Sequence, residues 1–280
     1  MAVPKINQQL DQAIDEDAAE KSSAVSALMQ LRDAQHKGKQ DQGNQGSVFL
    51  PPSWASGERR PIPFTTACVT CDATSFIMDP FPIKIYTSIA NATKAAKALA
   101  LILAKVDPET FGLLVCEGVV KHIDDAQKVR GFDFALRIPD ASCEPRSLRS
   151  LLIDSTKQPP LTQRLKLAKS LARSLIFLHD AEIVHKSISP ETIVLLRKAA
   201  STSIGTPYLI GFEQFRFAEG KTYRVGDSKW DKNLYRHPQR QGEHPEEDYV
   251  MQHDIYSLGV CLLEIGIWQS FATYDANEHG

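Results

Sequence analysis

Long apolar runs are missing from this chain. No stretch comes near the roughly 18 to 20 apolar residues that cross a bilayer; the longest, such as Ala98 to Ala104, are far shorter. The first 20 residues are polar and acidic, so they lack the basic start and apolar middle of a secretory signal. A one-sided charge is missing too. Lys and Arg number 32 against 34 Asp and Glu, a net charge of −2, which gives no electrostatic case for nucleic acid or an anionic membrane as partner. Cysteine is scarce and irregularly spaced, five in 280 residues. That excludes a disulfide framework and makes a reducing cytosol the simplest compartment, the nucleus not being excluded. Cys68-Val69-Thr70-Cys71 is a C-x-x-C pair without a second pair nearby, so two ordinary thiols explain it better than zinc or redox chemistry.

What is present is an ordinary globular composition, 42% hydrophobic and 24% charged. The length suits one large two-lobed domain or two small ones. Residues 1–37 read as a helical N-terminal extension: Ile6, Leu10 and Ile14 share a face, and Val25, Leu28 and Met29 form a second stripe. The extension suits docking on the domain, or an oligomerisation or adaptor arm. Residues 38–63, rich in Gly, Gln, Pro and Ser, read as a flexible linker. Its Gly43-Asn44-Gln45-Gly46 does not complete a phosphate-cradling G-x-G-x-x-G.

From residue 64 the texture is strand, helix, strand, strand: Ile83 to Thr87, a helix from an Asn91 cap to about Lys105, Leu113 to Lys121, and Phe132 to Ile138. This predicts a small mixed lobe over 64–139. Helices dominate 140–280. Arg146 to Ile153 is short, Leu161 to Leu178 is strongly amphipathic, and Asp254 to Trp268 is apolar nearly all round, as a buried central helix is.

The order of features from residue 161 onward is distinctive. The long helix is followed by Ile183-Val184-His185, Pro190-Glu191, the apolar strand Ile193 to Leu196, and the strand Tyr208 to Ile210 ending in Gly211-Phe212-Glu213. Tyr235-Arg236-His237-Pro238 and Asp254-Ile255-Tyr256-Ser257-Leu258-Gly259 come after. In that order and context, His185, Pro190-Glu191, Phe212, Pro238 and Asp254 resemble the protein-kinase pattern of H-R-D-L-x-x-x-N, D-F-G and A-P-E. The resemblance is clear over 145–271 and weaker over 64–144. The phrases Asn233 to Pro238 and Asp254 to Trp268 are most similar to fungal kinase-like proteins associated with HeLo-type or NLR-type defence modules.

The resemblance implies an α+β, two-lobed kinase-like fold whose large lobe is incomplete after its central helix. It also implies that His185 and Phe212 stack inside the lobe and that Asp254 ties down the loop at 185–192. The phosphate-handling positions do not follow. Ser187 stands where the catalytic carboxylate would be, Thr192 where an asparagine would hold metal, and Gly211 where the metal-binding aspartate would be. Lys84 is the candidate strand lysine, against a plain solvent-facing lysine, and the helix after it offers no Glu to pair with it. Lys186 replaces an arginine that receives a loop phosphate, and no signal in 211–238 marks a phosphorylation site. His237, His244 and His253 read as surface-loop residues.

The expected function is therefore a pseudokinase: a cytoplasmic scaffold or signalling module with protein partners, no catalytic residues, and no required cofactor. The alternatives are an active kinase using Glu213, Asp180 or another displaced carboxylate with ATP and magnesium, or an ATP-sensing switch.

Overall fold

The chain divides into two compact units, residues 1–46 and 47–280. The computed structural model describes residues 48–272 except 56, 71–74, 85–86, 155–157, 199–200 and 218–228. The expected N-terminal helices and the Gly43–Gly46 segment lie outside the described residues, as does Cys71.

The fold is α+β. A five-stranded antiparallel sheet has the order β1-β2-β3-β5-β4, built from β1 (Arg59–Pro61), β2 (Cys68–Thr70), β3 (Phe76–Pro82), β4 (Cys116–Ile123) and β5 (Val129–Arg137). On one face Phe76, Met78, Val120 and Ala135 form an apolar cluster with Leu50, Trp54 and Cys68. The other face is met by α1 (Ile89–Leu103), which buries Ala92, Ala96, Leu99, Ala100, Ile102 and Leu103. Three alanines along that stripe let the helix lie close to β4 and β5.

Several boundaries move from the sequence expectation. Within the stretch read as linker, β1 pairs with β2 from Arg59–Thr70 to Pro61–Cys68. The strand expected at Ile83 to Thr87 lies earlier, as β3 over Phe76–Pro82. Asp79, Pro80 and Pro82 hid it, yet the prolines cost the sheet nothing. Phe76 N–H faces the β2 side, bonding Thr70 Oγ1, while Ile83 N–H faces β5 at Arg130. Strand alternation then puts the nitrogens of Pro80 and Pro82 on the β2 side, past its last partner at Met78. The cap of α1 is Ser88, whose Oγ accepts from Asn91 N, one turn before the expected cap.

Beyond the sheet lie α2 (Pro108–Phe111), β6 (Cys143–Ser147), α3 (Leu148–Ile153) and α4 (Leu161–Asp180). They are followed by β7 (Ile183–Val184), β8 (Ile193–Lys198), β9 (Thr206–Leu209), β10 (Arg216–Phe217), α5 (Trp230–Leu234) and α6 (Met251–Ile267). Strands β6, β8 and β9 form one small sheet, β7 and β10 another. Helix α4 packs on α6 and on β9 and buries Leu167, Leu171, Ser174, Leu175, Phe177 and Leu178. Helix α6 is buried on one side only. Asp254, Leu258, Cys261, Glu264 and Ile265 point inward, while Ile255, Leu263 and Ile267 remain at least half exposed. The expected all-round burial fails because no described residue covers that outer face.

Arg149 ties α3 to α6, to the turn at Glu191 and to Tyr235. It is fully buried, and its Nε donates to Glu191 at 2.7 Å. Nη1 donates to Glu264 at 3.1 Å and to Ser270 Oγ at 2.6 Å, and Nη2 reaches Tyr235 Oη. Glu264 is also fully buried, and burial raises its carboxyl pKa against the pull of its hydrogen bonds. Removing one member of such a network leaves an uncompensated interior charge. Arg149→Ala is expected to lose about 3–5 kcal/mol in urea unfolding. Arg149→Met combined with Glu264→Leu is expected to lose clearly less than the sum of its single changes.

Candidate functional site

The loop 185–192 is held from below by Asp254 at the start of α6. Asp254 is fully buried, and its Oδ2 accepts from His185 N–H at 2.8 Å and meets His179 Nε2 at 3.3 Å. Its Oδ1 accepts from Lys186 N–H and from Tyr249 Oη, each at 2.8 Å. Burial alone would raise the Asp254 pKa, but these donors hold it below the ordinary carboxylate value. Lys186 sits at φ +70°, a left-handed conformation costly for a side-chain-bearing residue. The Asp254 bond to its amide holds it there.

His185 stands above this tether, fully buried. Its Nε2 donates to Ile210 O at 2.9 Å, and its Nδ1 accepts from Ser187 N–H at 3.3 Å. One nitrogen giving and the other taking fixes the neutral ring, and burial lowers its pKa accordingly. The ring packs on Phe212, centroids 5.0 Å apart. Pro238 opens a short 3-10 turn and is exposed; the neighbouring His237 ring packs on His253 and Tyr256.

Ser187, Thr192 and Gly211 come together beside a cavity of about 330 Å³. The cavity lies between the β1–β2 turn at Phe64 to Thr66, the 186–192 loop, the 210–214 turn and α5. Among the described residues the Ser187 hydroxyl has no hydrogen-bond partner. The Thr192 hydroxyl is within hydrogen-bond distance of Ser187 O at 2.9 Å and Ser189 O at 3.0 Å, and it accepts from Ser189 N–H. Its methyl carbon lies against Gly211. A Cβ on Gly211 would fall 2.9 Å from Thr192 Cβ and closer still to that methyl. The space where two metal-holding side chains would meet is therefore filled by a methyl group facing a residue without a side chain. Magnesium wants several oxygen ligands, and these side chains do not fit it. Among the described residues no group of three His, Cys, Asp or Glu could hold a metal ion.

The β1–β2 turn is no better suited to phosphate. It contains no glycine, and three of its amides bond within the turn. Ile62 N–H bonds Ala67 O, Thr65 N–H bonds Ile62 O, and Ala67 N–H bonds Thr65 Oγ1. Ser147 Oγ donates to Pro63 O at 2.6 Å and pins the turn, while Ile62 is almost wholly buried.

Lys84 is not a strand residue. It follows the end of β3, and burial lowers its pKa, with Glu213 raising it and Arg236 and Lys232 lowering it further. Lys186 is pushed down to about 7, chiefly by burial, then by Lys84, Arg216 and Arg240. The buried acid of β3 is Asp79, in Phe76-Ile77-Met78-Asp79. Its Oδ2 accepts from Gly211 N–H at 3.0 Å and Phe212 N–H at 3.1 Å. Sequence reasoning missed this residue. The available signal was a single acid ending an apolar strand run.

Comparison with known proteins finds two similar protein kinases. A probable serine/threonine-protein kinase of Dictyostelium discoideum is 27% identical over 147 residues, 52% of this chain and 10% of that protein. A cysteine-rich receptor-like protein kinase of Arabidopsis thaliana is 32% identical over 129 residues, 43% of this chain and 18% of that protein. The chain thus spans less than a fifth of the length of either relative. No protein-family model matches it. Both similarities support a relationship to the kinase-like superfamily.

Two outcomes test this geometry. Gly211→Ala combines φ +82° with the Thr192 clash and is expected to cost about 1–3 kcal/mol in urea unfolding. Adding Thr192→Ser is expected to return the methyl's share of the steric loss and leave the Cβ contact and the backbone part. Burial raises the Asp79 pKa to about 7, the amides of Phe212 and Gly211 pull it down, and Glu213 and Asp133 push it up. The unfolded chain releases this proton near pH ~3.9. The folded state therefore holds an extra proton between those values, and its stability falls as pH rises from about 4 to about 7. Asp79→Asn removes that slope. Urea midpoints at pH 5 and 7.5 are expected to show wild type losing ground to Asp79→Asn at the higher pH.

Proposed function

We propose that this chain is a kinase-like domain without phosphotransfer, acting as an interaction module. In this reading the five-stranded sheet with α1 is the small lobe, and the elements from β6 onward belong to the large one. The observation that carries the proposal is the contact of the Thr192 methyl with Gly211. Phosphoryl transfer depends on positioning and on metal-borne charge neutralisation, and that contact removes both metal positions at once. Ser187 supplies no carboxylate base.

Protein partners fit the exposed apolar surface of α6 at Ile255, Leu263 and Ile267. Cys68, Cys116, Cys143 and Cys261 are free thiols, which suits a reducing compartment such as the cytosol. Among the described residues no helix is long and apolar enough to cross a membrane. The association with fungal defence modules rests on the phrases 233–238 and 254–268 alone.

Thermal-shift titration tests the proposal. ATP up to millimolar concentration, with or without magnesium, is expected to leave the melting temperature unchanged. A saturating rise would establish nucleotide binding by mass action and favour a sensing switch. Metal-dependent phosphate incorporation that disappears in Lys84→Ala and Glu213→Ala would establish an active enzyme and end the reading.

A further inference from the structure

Gly211 adopts φ 82° and ψ 44°, and Phe212 then enters a 3-10 turn. A left-handed residue followed by a right-handed one turns two successive N–H groups toward a single point, a concavity that suits an anionic or strongly polar oxygen. Asp79 Oδ2 occupies that point, and the side chain is fully buried. Its Oδ1 has no hydrogen-bond partner among the described residues. The fold thus tolerates one unsatisfied oxygen in order to place the other.

The same face of β3 reaches the turn a second time. Phe81, two residues along and so on the same side of the strand, lies 5.2 Å from Phe215 between ring centroids. Phe215 also meets Phe212 at 6.4 Å, and Phe212 packs on His185. A polar contact at one end and an aromatic contact at the other bracket residues 211–215.

We infer that Asp79 is an internal latch: its carboxyl group, seated on the Gly211 and Phe212 amides, holds the 211–215 turn against β3 with no ligand bound. The latch sets one wall of the cavity, because Gly211, Glu213 and Gln214 line it. The wall of the cavity is then shaped by the protein itself. This goes beyond the functional reading above and stands or falls separately, since it concerns the turn and not nucleotide.

Hydrogen exchange on the full chain, resolved at the amides of Gly211 and Phe212, tests it. In wild type both amides are expected to exchange as slowly as those of β5, and ATP with magnesium is expected to change nothing. Asp79→Asn keeps an acceptor oxygen and is expected to preserve that protection. Asp79→Leu and Asp79→Ala are expected to speed exchange at residues 211 and 212 at least about tenfold, with β5 unchanged. If Asp79→Leu protects the two amides as well as wild type does, the latch is wrong. If the Leu and Ala variants do not fold, the wild-type and Asn measurements decide: fast exchange at 211 and 212 in either one, beside a slow β5, overturns it.

Discussion

Asp254 is the group on which the rest of the site depends. A carboxylate taken wholly out of water is costly unless its oxygens are filled with donors. Here they are filled by two backbone amides, a tyrosine hydroxyl and a histidine. That requirement fixes the loop at 185–186 against the first turn of α6 and keeps Lys186 in a conformation it would not choose alone. His185 is thereby aimed at Ile210 and Phe212, and the 210–215 turn is aimed at β3. One buried charge at the root of α6 thus propagates through the neutral His185 ring to the sheet about 175 positions earlier in the chain.

The site above this root has exchanged charge for packing. Beside the cavity stand a serine hydroxyl without a hydrogen-bond partner among the described residues, a threonine methyl and a glycine. The positive charges of Lys84 and Lys186 remain near the cavity, repelling each other and depressed by burial. At position 79 a buried carboxyl group, its pKa raised to about 7 chiefly by burial, meets two backbone amides.

Much of the scaffold was legible in the sequence because its signals are local. Periodicity marked Leu161 to Leu178, close to the observed Leu161–Asp180. Residues 185, 212 and 254 stood out because, in that order, they resemble the protein-kinase pattern. The misses share a different character. β1 is three residues long and contains two arginines and a proline, so nothing intrinsic to it speaks of a strand; its pairing with β2 makes it one. β3 was masked by prolines that are harmless only because β2 stops short of them. Asp79 has no meaning until its acceptor role toward Gly211, 132 positions away, is known. Ile255 and Leu263 could not be assigned an exposed face either, since apolar residues all round a helix do not say which side its neighbours leave open.

The Thr192–Gly211 contact also bears on which substitutions this turn accepts. An aspartate introduced at 211 would meet the Thr192 methyl and a left-handed backbone before it met any metal. An asparagine introduced at 192 would give up the hydroxyl that braces Ser187 and Ser189. A lysine at 79 would turn an ammonium toward two N–H donors that now rest on a carboxyl oxygen. Each of these changes therefore meets the packing and hydrogen bonds already in place. The packing of this turn thus limits which residues positions 79, 192 and 211 can accept together.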